Sequence, residues 1–430
     1  MAHLSDTPTS TSTSRTPNRW LILIGGLLVQ LALGAVYAWS TFAKALQSEE
    51  SFGLSPMVAA VPFEVAIGMI FVGSFLGGRI QDKRGPRIVG LAGVVLYALG
   101  IILASFARSA DDLWLLILGY GVIGGFGLGL AYIVPIALLQ KWFPDKRGLI
   151  TGIAVGGFGF GAVITSPVAQ AMISGSADYQ QFPTKVFLWL GIAYLVAGLL
   201  GASTFVNPPA GYTVAGAKDE TPTQKVTPGR DFTQAEALRT PQWYLLTAIL
   251  AIAVIGGISL VSQAASTASG VAGFSPAAAA TLVGVMGLFN GGGRMGWAAL
   301  SDKIGRMPSF IGILVILGVC LILIPRATNP ALFYVLAALI YLCYGGAFGT
   351  MPSTAGDFFG LKNAGSIYGL MLIAWSIGGV VGPLLISALI GTEGNYVRAY
   401  TVVGIIALVG AVLPFITKRP KATSVGHSPA

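Results

Sequence analysis

Apolar residues fall in long blocks along this chain, and short clusters of Gly, Pro, Asp, Lys and Arg separate them. Uncharged stretches of about 20 residues recur, the length of helix that crosses a ~30 Å hydrocarbon layer. Reading the blocks against their breakers predicts twelve spans. Six lie at about 20–43, 57–79, 88–107, 113–140, 149–174 and 185–206, and six at about 242–266, 277–300, 307–325, 331–352, 364–391 and 397–417. The longest connection, Asn207 to Arg239, holds Pro208, Pro209, Pro222, Pro228 and mixed charges. The expected organisation is a disordered cytoplasmic tail (1–18), a six-helix half (19–206), a cytoplasmic linker (207–239), a second six-helix half (240–418) and a tail (419–430). The first segment is Ser/Thr-rich and lacks an apolar stretch beside a cleavage site, so it does not read as a signal peptide.

Composition agrees with this pattern. Charged residues make up 10% of the 430 and hydrophobic ones 54%, against about 25% charge in soluble domains. The class is an all-α polytopic membrane protein. Glycine, at 59 residues, is frequent inside the blocks, where small residues let membrane helices approach closely. Cys320 and Cys343 lie in apolar spans and His3 and His427 in the tails, so neither a disulfide framework, a metal centre nor a cofactor site is expected.

Orientation follows from Lys and Arg. With both tails inside, the inner segments hold 19 of these residues and the outer segments only Lys44, Arg108, Lys185, Arg326 and Arg398. The net charge of +9 therefore reads as membrane orientation and not as a nucleic-acid surface. One cation, Arg294, falls in neither set.

The halves resemble each other. "GGRIQDKRGPR" (Gly77–Arg87) follows the second span and "WAALSDKIGR" (Trp297–Arg306) the eighth, giving D-K-x-G loops at Asp82-Lys83 and Asp302-Lys303. A weaker pair is "KRG" (Lys146–Gly148) before span five and "KNAGSIYG" (Lys362–Gly369) before span eleven. Duplicated helical halves are how many secondary transporters build a central site between two bundles.

These loops, the six-plus-six layout and the linker resemble the major facilitator superfamily over residues 19–418. Within it, "VYAWSTF" (Val36–Phe42), "KWFPDKRGLITG" (Lys141–Gly152), "NPPAGY" (Asn207–Tyr212), "LRTPQW" (Leu238–Trp243), "LFNGGGR" (Leu288–Arg294) and "SDKIGR" (Ser301–Arg306) are similar to the oxalate:formate antiporter family. The resemblance implies a twelve-helix fold, alternating access, a bacterial-type cell (inner) membrane and a small carboxylate as cargo. A monomer is expected.

Arg294 is the candidate ligand for that cargo. It lies eight residues before Asp302, so its backbone is roughly 12 Å along the helix from the inner loop. Helical side chains lean toward their own N-terminus, here toward the bilayer centre, which disfavours snorkelling to the headgroups. A guanidinium in the membrane is costly and usually faces a polar cavity, where it can hold a carboxylate with two parallel hydrogen bonds. Gly291, Gly292 and Gly293 leave room beside it for a small anion or a neighbouring helix, and Asn290, one turn away, can orient it or touch the substrate.

The resemblance also implies an aromatic enclosure at Tyr37, Tyr132, Phe158, Tyr344 and Phe348, where the family carries aromatic residues. The family's oxalate specialist has a lysine at the position of Trp375, seven residues after the match to Tyr368. Here no Lys or Arg occurs from Asn363 to Gly391. One cation balances one carboxylate, and a dianion would keep about one charge unpaired in a low-dielectric site. A monocarboxylate such as lactate, pyruvate or formate is therefore the expected cargo, with Trp375 packed against its apolar body. Oxalate:formate-type exchange and a transporter-like carboxylate sensor are the alternatives.

Proton co-transport is the expected coupling, with Glu64, the only acidic residue well within a predicted span, as its candidate; exchange of one anion for another needs no such group. Asp82, Lys83, Asp302 and Lys303 resemble the family's cytoplasmic gate. The spans contain no histidine, acidic pair or metal-spaced cysteines, so an enzyme is not expected.

Overall fold

The computed structural model describes residues 17–209, 211–213, 231–391 and 394–420. Most of both predicted tails, and 214–230 of the predicted linker, lie outside the described residues. Among those described there is no strand. The long helices are α1 (Arg19–Leu46), α2 (Pro56–Arg84), α3 (Pro86–Ala104), α4 (Ala110–Trp142), α5 (Arg147–Ser174), α6 (Pro183–Ser203), α7 (Pro241–Ala272), α8 (Pro276–Ile304), α9 (Arg306–Arg326), α10 (Pro330–Phe359), α11 (Ala364–Ile390) and α12 (Tyr396–Ile416). All but α8 meet the length and hydropathy needed to cross a membrane, and α8, at 29 residues, packs among them.

The span ends follow local chemistry. Ser55 caps α2 by accepting from the Val58 amide, and Ser275 caps α8 by accepting from the Ala278 amide. Gly85 (φ 90°) and Gly305 (φ 97°) end the same two helices in backbone only glycine adopts freely, which explains the glycine of each D-K-x-G loop. Several predicted ends fall short, span two at 79 against Arg84 and span seven at 266 against Ala272, and the largest difference is at span ten. The sequence places the end of span ten near Pro352, but α10 continues through that proline to Phe359 and stops at Gly360 (φ 85°).

Three helices depart from regular geometry within their spans. α1 tightens to a 3₁₀ turn over Ala35–Ala38, α4 widens to a π-helix over Ile117–Gly124, and α11 breaks at Leu372 between Ala364–Met371 and Ile373–Ile390. Such departures commonly mark functional positions.

The two halves meet closely on the cytoplasmic side. A Cβ at Gly78 of α2 would lie 2.1 Å from the Gly365 carbonyl of α11, and one at Gly152 of α5 2.7 Å from the Arg294 carbonyl of α8. Toward the outside the same surfaces diverge. Gly284 lies two turns from Gly291 on the face of α8 that meets α5, yet no atom stands within 4 Å of its Cβ position. The α5–α8 contact is therefore tight on the inner side and open at Gly284.

Candidate substrate site

Arg294 is 0% exposed, held in the inner half of α8. Two of the three glycines before it serve packing. Gly291 presses on the Phe160 ring of α5, Gly293 on the Leu342 backbone of α10, and Gly292 faces open space. Across the interface, Gly345 and Gly349 of α10 let the Asn290 and Arg294 backbones approach. Of the two uses the sequence allows for Gly291 and Gly293, the structure shows the neighbouring helix.

Asn290 orients the guanidinium: its Oδ1 accepts from Arg294 Nε at 3.2 Å, one turn toward the outside, as the lean of helical side chains requires. Nη1 donates to the Val155 carbonyl of α5 at 3.3 Å. Nη2 is buried with no hydrogen-bond partner among the described residues. Phe348 and Phe158 flank the cation, their ring centres 5.1 and 5.6 Å from Cζ, within cation–π range.

The other predicted site residues gather around this centre. Phe158 packs edge-on against Tyr132 at 5.0 Å and Tyr37 at 5.3 Å, while Tyr344 packs on Phe348 at 5.4 Å. Trp375 closes the ring, 5.0 Å from Phe348, 5.8 Å from Tyr132, 5.9 Å from Phe158 and 6.5 Å from Tyr37. The hydroxyls of Tyr37, Tyr132 and Tyr344 stand close to Arg294. Those of Tyr37 and Tyr132 are buried and within hydrogen-bonding reach of Arg294, that of Tyr37 also of Tyr344 and that of Tyr132 also of Tyr368, though none of these contacts has full hydrogen-bond geometry; Trp375 Nε1 has no partner among the described residues. Buried donors rarely stay unpaired because desolvation without a partner costs about 1–3 kcal/mol each.

Two residues escaped the sequence reading. Tyr368 of α11 is fully enclosed, its hydroxyl within hydrogen-bonding reach of that of Tyr132. Gln30 of α1 donates to the Tyr132 carbonyl at 3.2 Å, which fixes the helix turn carrying that tyrosine. A lone glutamine in an uncharged span was the available signal for the second. Glu64, by contrast, is not brought to Arg294; it is exposed on the outer half of α2.

Below this centre lies the cytoplasmic closure. Asp302 accepts from the Gly148 and Leu149 amides at 3.1 and 3.0 Å, at the N-terminus of α5 in the other half. Asp82 accepts from the Ser366 amide at 2.8 Å, at the N-terminus of α11. Each carboxylate thus meets the positive end of a helix from the opposite bundle. Lys83 and Lys303 are exposed and take no part in the ion pairs described. The basic partners are Arg306, 2.7 Å from Asp302, and Arg147, which with Arg306 converges on the buried Asp357 at 3.3 and 2.9 Å. Asp357 sits in the turns of α10 beyond Pro352 and was missed for that reason.

The sequence model of the Major Facilitator Superfamily matches residues 20–383. The chain belongs to that superfamily. Its relatives include the oxalate:formate antiporter of Oxalobacter formigenes, 28% identical over 97% of this chain and 96% of that protein. The apicoplast pyruvate carrier 1 of Toxoplasma gondii is 27% identical over 94% and 90%. A solved structure of the E. coli fucose:proton symporter FucP superposes with a TM-score of 0.69 at 15% identity, covering 94% of this chain and 98% of that one, a likeness of fold. As a facilitator the chain is an integral multi-pass transporter and not an enzyme. The relation to the oxalate:formate antiporter agrees with the resemblance read from its motifs.

Proposed function

We propose that this facilitator is a secondary active transporter of a small monocarboxylate, of the lactate, pyruvate or formate class, working by alternating access as a monomer in a bacterial-type cell (inner) membrane. The observation that carries this reading is one fully buried guanidinium with an unpaired Nη2, enclosed by aromatic rings, with Trp375 standing across the same two phenyl rings. Asn290 holds Nε, so a carboxylate approaches the far end of the guanidinium. Tyr37 and Tyr132 supply hydroxyls beside it and the phenyl rings receive an apolar body. With one cation in the enclosure, a dianion keeps a charge unpaired in a dry site, which disfavours oxalate. The names of the antiporter and pyruvate-carrier relatives support a small carboxylate as cargo.

The cytoplasmic contacts of Asp82 and Asp302 hold the inside closed in this reading, and their release accompanies delivery. Proton co-transport through Glu64 is one coupling. The exposure of Glu64 away from Arg294 favours a second, exchange of one carboxylate for another. Uptake of radiolabelled lactate and pyruvate into reconstituted vesicles separates them. An inward proton gradient drives symport, whereas exchange depends on carboxylate loaded on the opposite side. In the same assay Arg294→Ala and Arg294→Lys nearly abolish uptake; wild-type rates from properly inserted variants overturn the site assignment.

A further inference from the structure

One motif of the sequence stands apart from the substrate centre. "LRTPQW" (Leu238–Trp243) closes the connection between the halves and opens α7. Just before it, Thr233 caps a helical turn, Gln234–Leu238. Its hydroxyl accepts from the Glu236 amide at 3.2 Å, while Glu236 Oε2 accepts from the Thr233 amide at 2.8 Å.

This segment fastens the turn between α10 and α11 at successive points. The Phe232 amide donates to the Phe359 carbonyl at 2.9 Å, the Lys362 amide to Asp231 Oδ1 at 3.1 Å, and Asn363 Nδ2 to the Phe232 carbonyl at 2.7 Å. Gln234 Nε2 donates to the Ser366 carbonyl at 2.8 Å and Trp243 Nε1 to the Ile367 carbonyl at 3.5 Å, both in the first turn of α11. A Cβ at Gly360 would lie 2.2 Å from Asp231 Oδ1, a second reason for glycine there besides its φ of 85°.

Ser366 is where this segment meets the gate. Its amide donates to Asp82 of the other half, and its carbonyl accepts from Gln234. The first amides of a helix have no partner within it and point beyond its N-terminus. The bond to Asp82 therefore depends on where the first turn of α11 is held. The N-terminal half follows the same plan: Arg19, at the start of α1, pairs with Asp145 at 3.1 Å, and Trp20 packs on Phe143, in the turn before α5.

We propose that Asp231–Trp243 is a strap that positions the N-terminus of α11 for Asp82 and so sets how firmly the cytoplasmic side closes. The inference rests on Asp82 being a gate contact and goes beyond that reading: the connection between the halves is part of the gate as well as a tether. Gln234 and Asn363 are positioning residues that act through the Ser366 amide.

The test is maleimide labelling of Thr151→Cys, buried on α5, from the cytoplasmic side of vesicles holding full-length protein with Cys320 and Cys343 replaced. Gln234→Met keeps the side chain's length and removes its donor, and Asn363→Ala removes another bond to the strap. Neither changes charge, so Lys141, which lies near both Asp82 and Asp231, is undisturbed. Each should speed labelling by about threefold or more. Asp82→Ala should also speed it, and adding Gln234→Met to Asp82→Ala should change the rate by less than about twofold, because both act on one contact. Unchanged labelling in both strap variants, with Asp82→Ala fast, overturns the strap and leaves the gate standing. Effects of Gln234→Met and Asp82→Ala that multiply also overturn it, since general support of the fold acts independently of Asp82. If Asp82→Ala itself labels at the wild-type rate, the gate reading falls and the strap with it.

Discussion

α2 and α8 are the same helix drawn twice and put to different uses. Each spans 29 residues between a serine cap, Ser55 or Ser275, and a positive-φ glycine, Gly85 or Gly305. Each carries an aspartate that reaches the N-terminus of a helix in the other half. Eight residues before Asp302 stands Arg294; eight residues before Asp82 stands Ser74. Ser74 spends its hydroxyl on the Gly129 carbonyl of α4, at 3.0 Å within its own bundle, while Arg294 keeps Nη2 unpaired at the centre. In the proposed reading the duplication is retained where the halves separate and rejoin and lost where the cargo is held, so that symmetry serves the gate and asymmetry limits the site to one charge.

Restoring a second cation breaks the comparison most sharply. Trp375→Lys places an ammonium opposite Arg294, and the preference between oxalate and pyruvate should move toward oxalate by about tenfold or more in vesicle competition. An unchanged profile would mean that position 375 does not face the cargo.

The two gate aspartates are alike but not equal. Asp302 holds two amides and Arg306, whereas Asp82 holds one amide and leaves Oδ1 unpaired. Asp302→Asn should weaken the inner closure by about 2–3 kcal/mol and Asp82→Asn by about half of that. A cysteine introduced by Thr151→Cys, in a background with Cys320 and Cys343 replaced, reads the opening. Thr151 is buried on α5 beneath the centre, so cytoplasmic labelling should accelerate in both variants and more in Asp302→Asn. Equal acceleration would show that the halves close symmetrically.

Ser74→Ala is the smallest expected change. It removes one intrabundle hydrogen bond, about 1 kcal/mol, and should leave carboxylate uptake within about twofold of wild type. A large loss of uptake would place the repeat partner of Arg294 in the site as well.

Much of this was legible in the sequence, because span length, breakers and Lys/Arg bias act locally and the D-K-x-G glycines report a backbone requirement. Arg294 stood out as the cation in neither loop set. Tyr368 did not, because α11 is apolar on nearly every side and its composition does not tell which face turns inward. The break at Leu372, which separates Tyr368 from Trp375, has no proline or glycine at that position to announce it. The role of Asp357 depends on α10 continuing past Pro352, where a proline would normally suggest an end. Gly291 and Gly293 read equally well as space for a ligand or for a helix, and only the packing of α5 and α10 decides between them.

The central claim is one positive charge for one carboxylate. Titration calorimetry of purified wild-type protein with pyruvate and with oxalate, repeated on Arg294→Ala, tests it most directly. The account predicts one pyruvate per chain, weaker binding of oxalate, and loss of pyruvate affinity by about a hundredfold or more without the guanidinium. Tighter binding of oxalate than of pyruvate, or pyruvate affinity that survives Arg294→Ala, would contradict it.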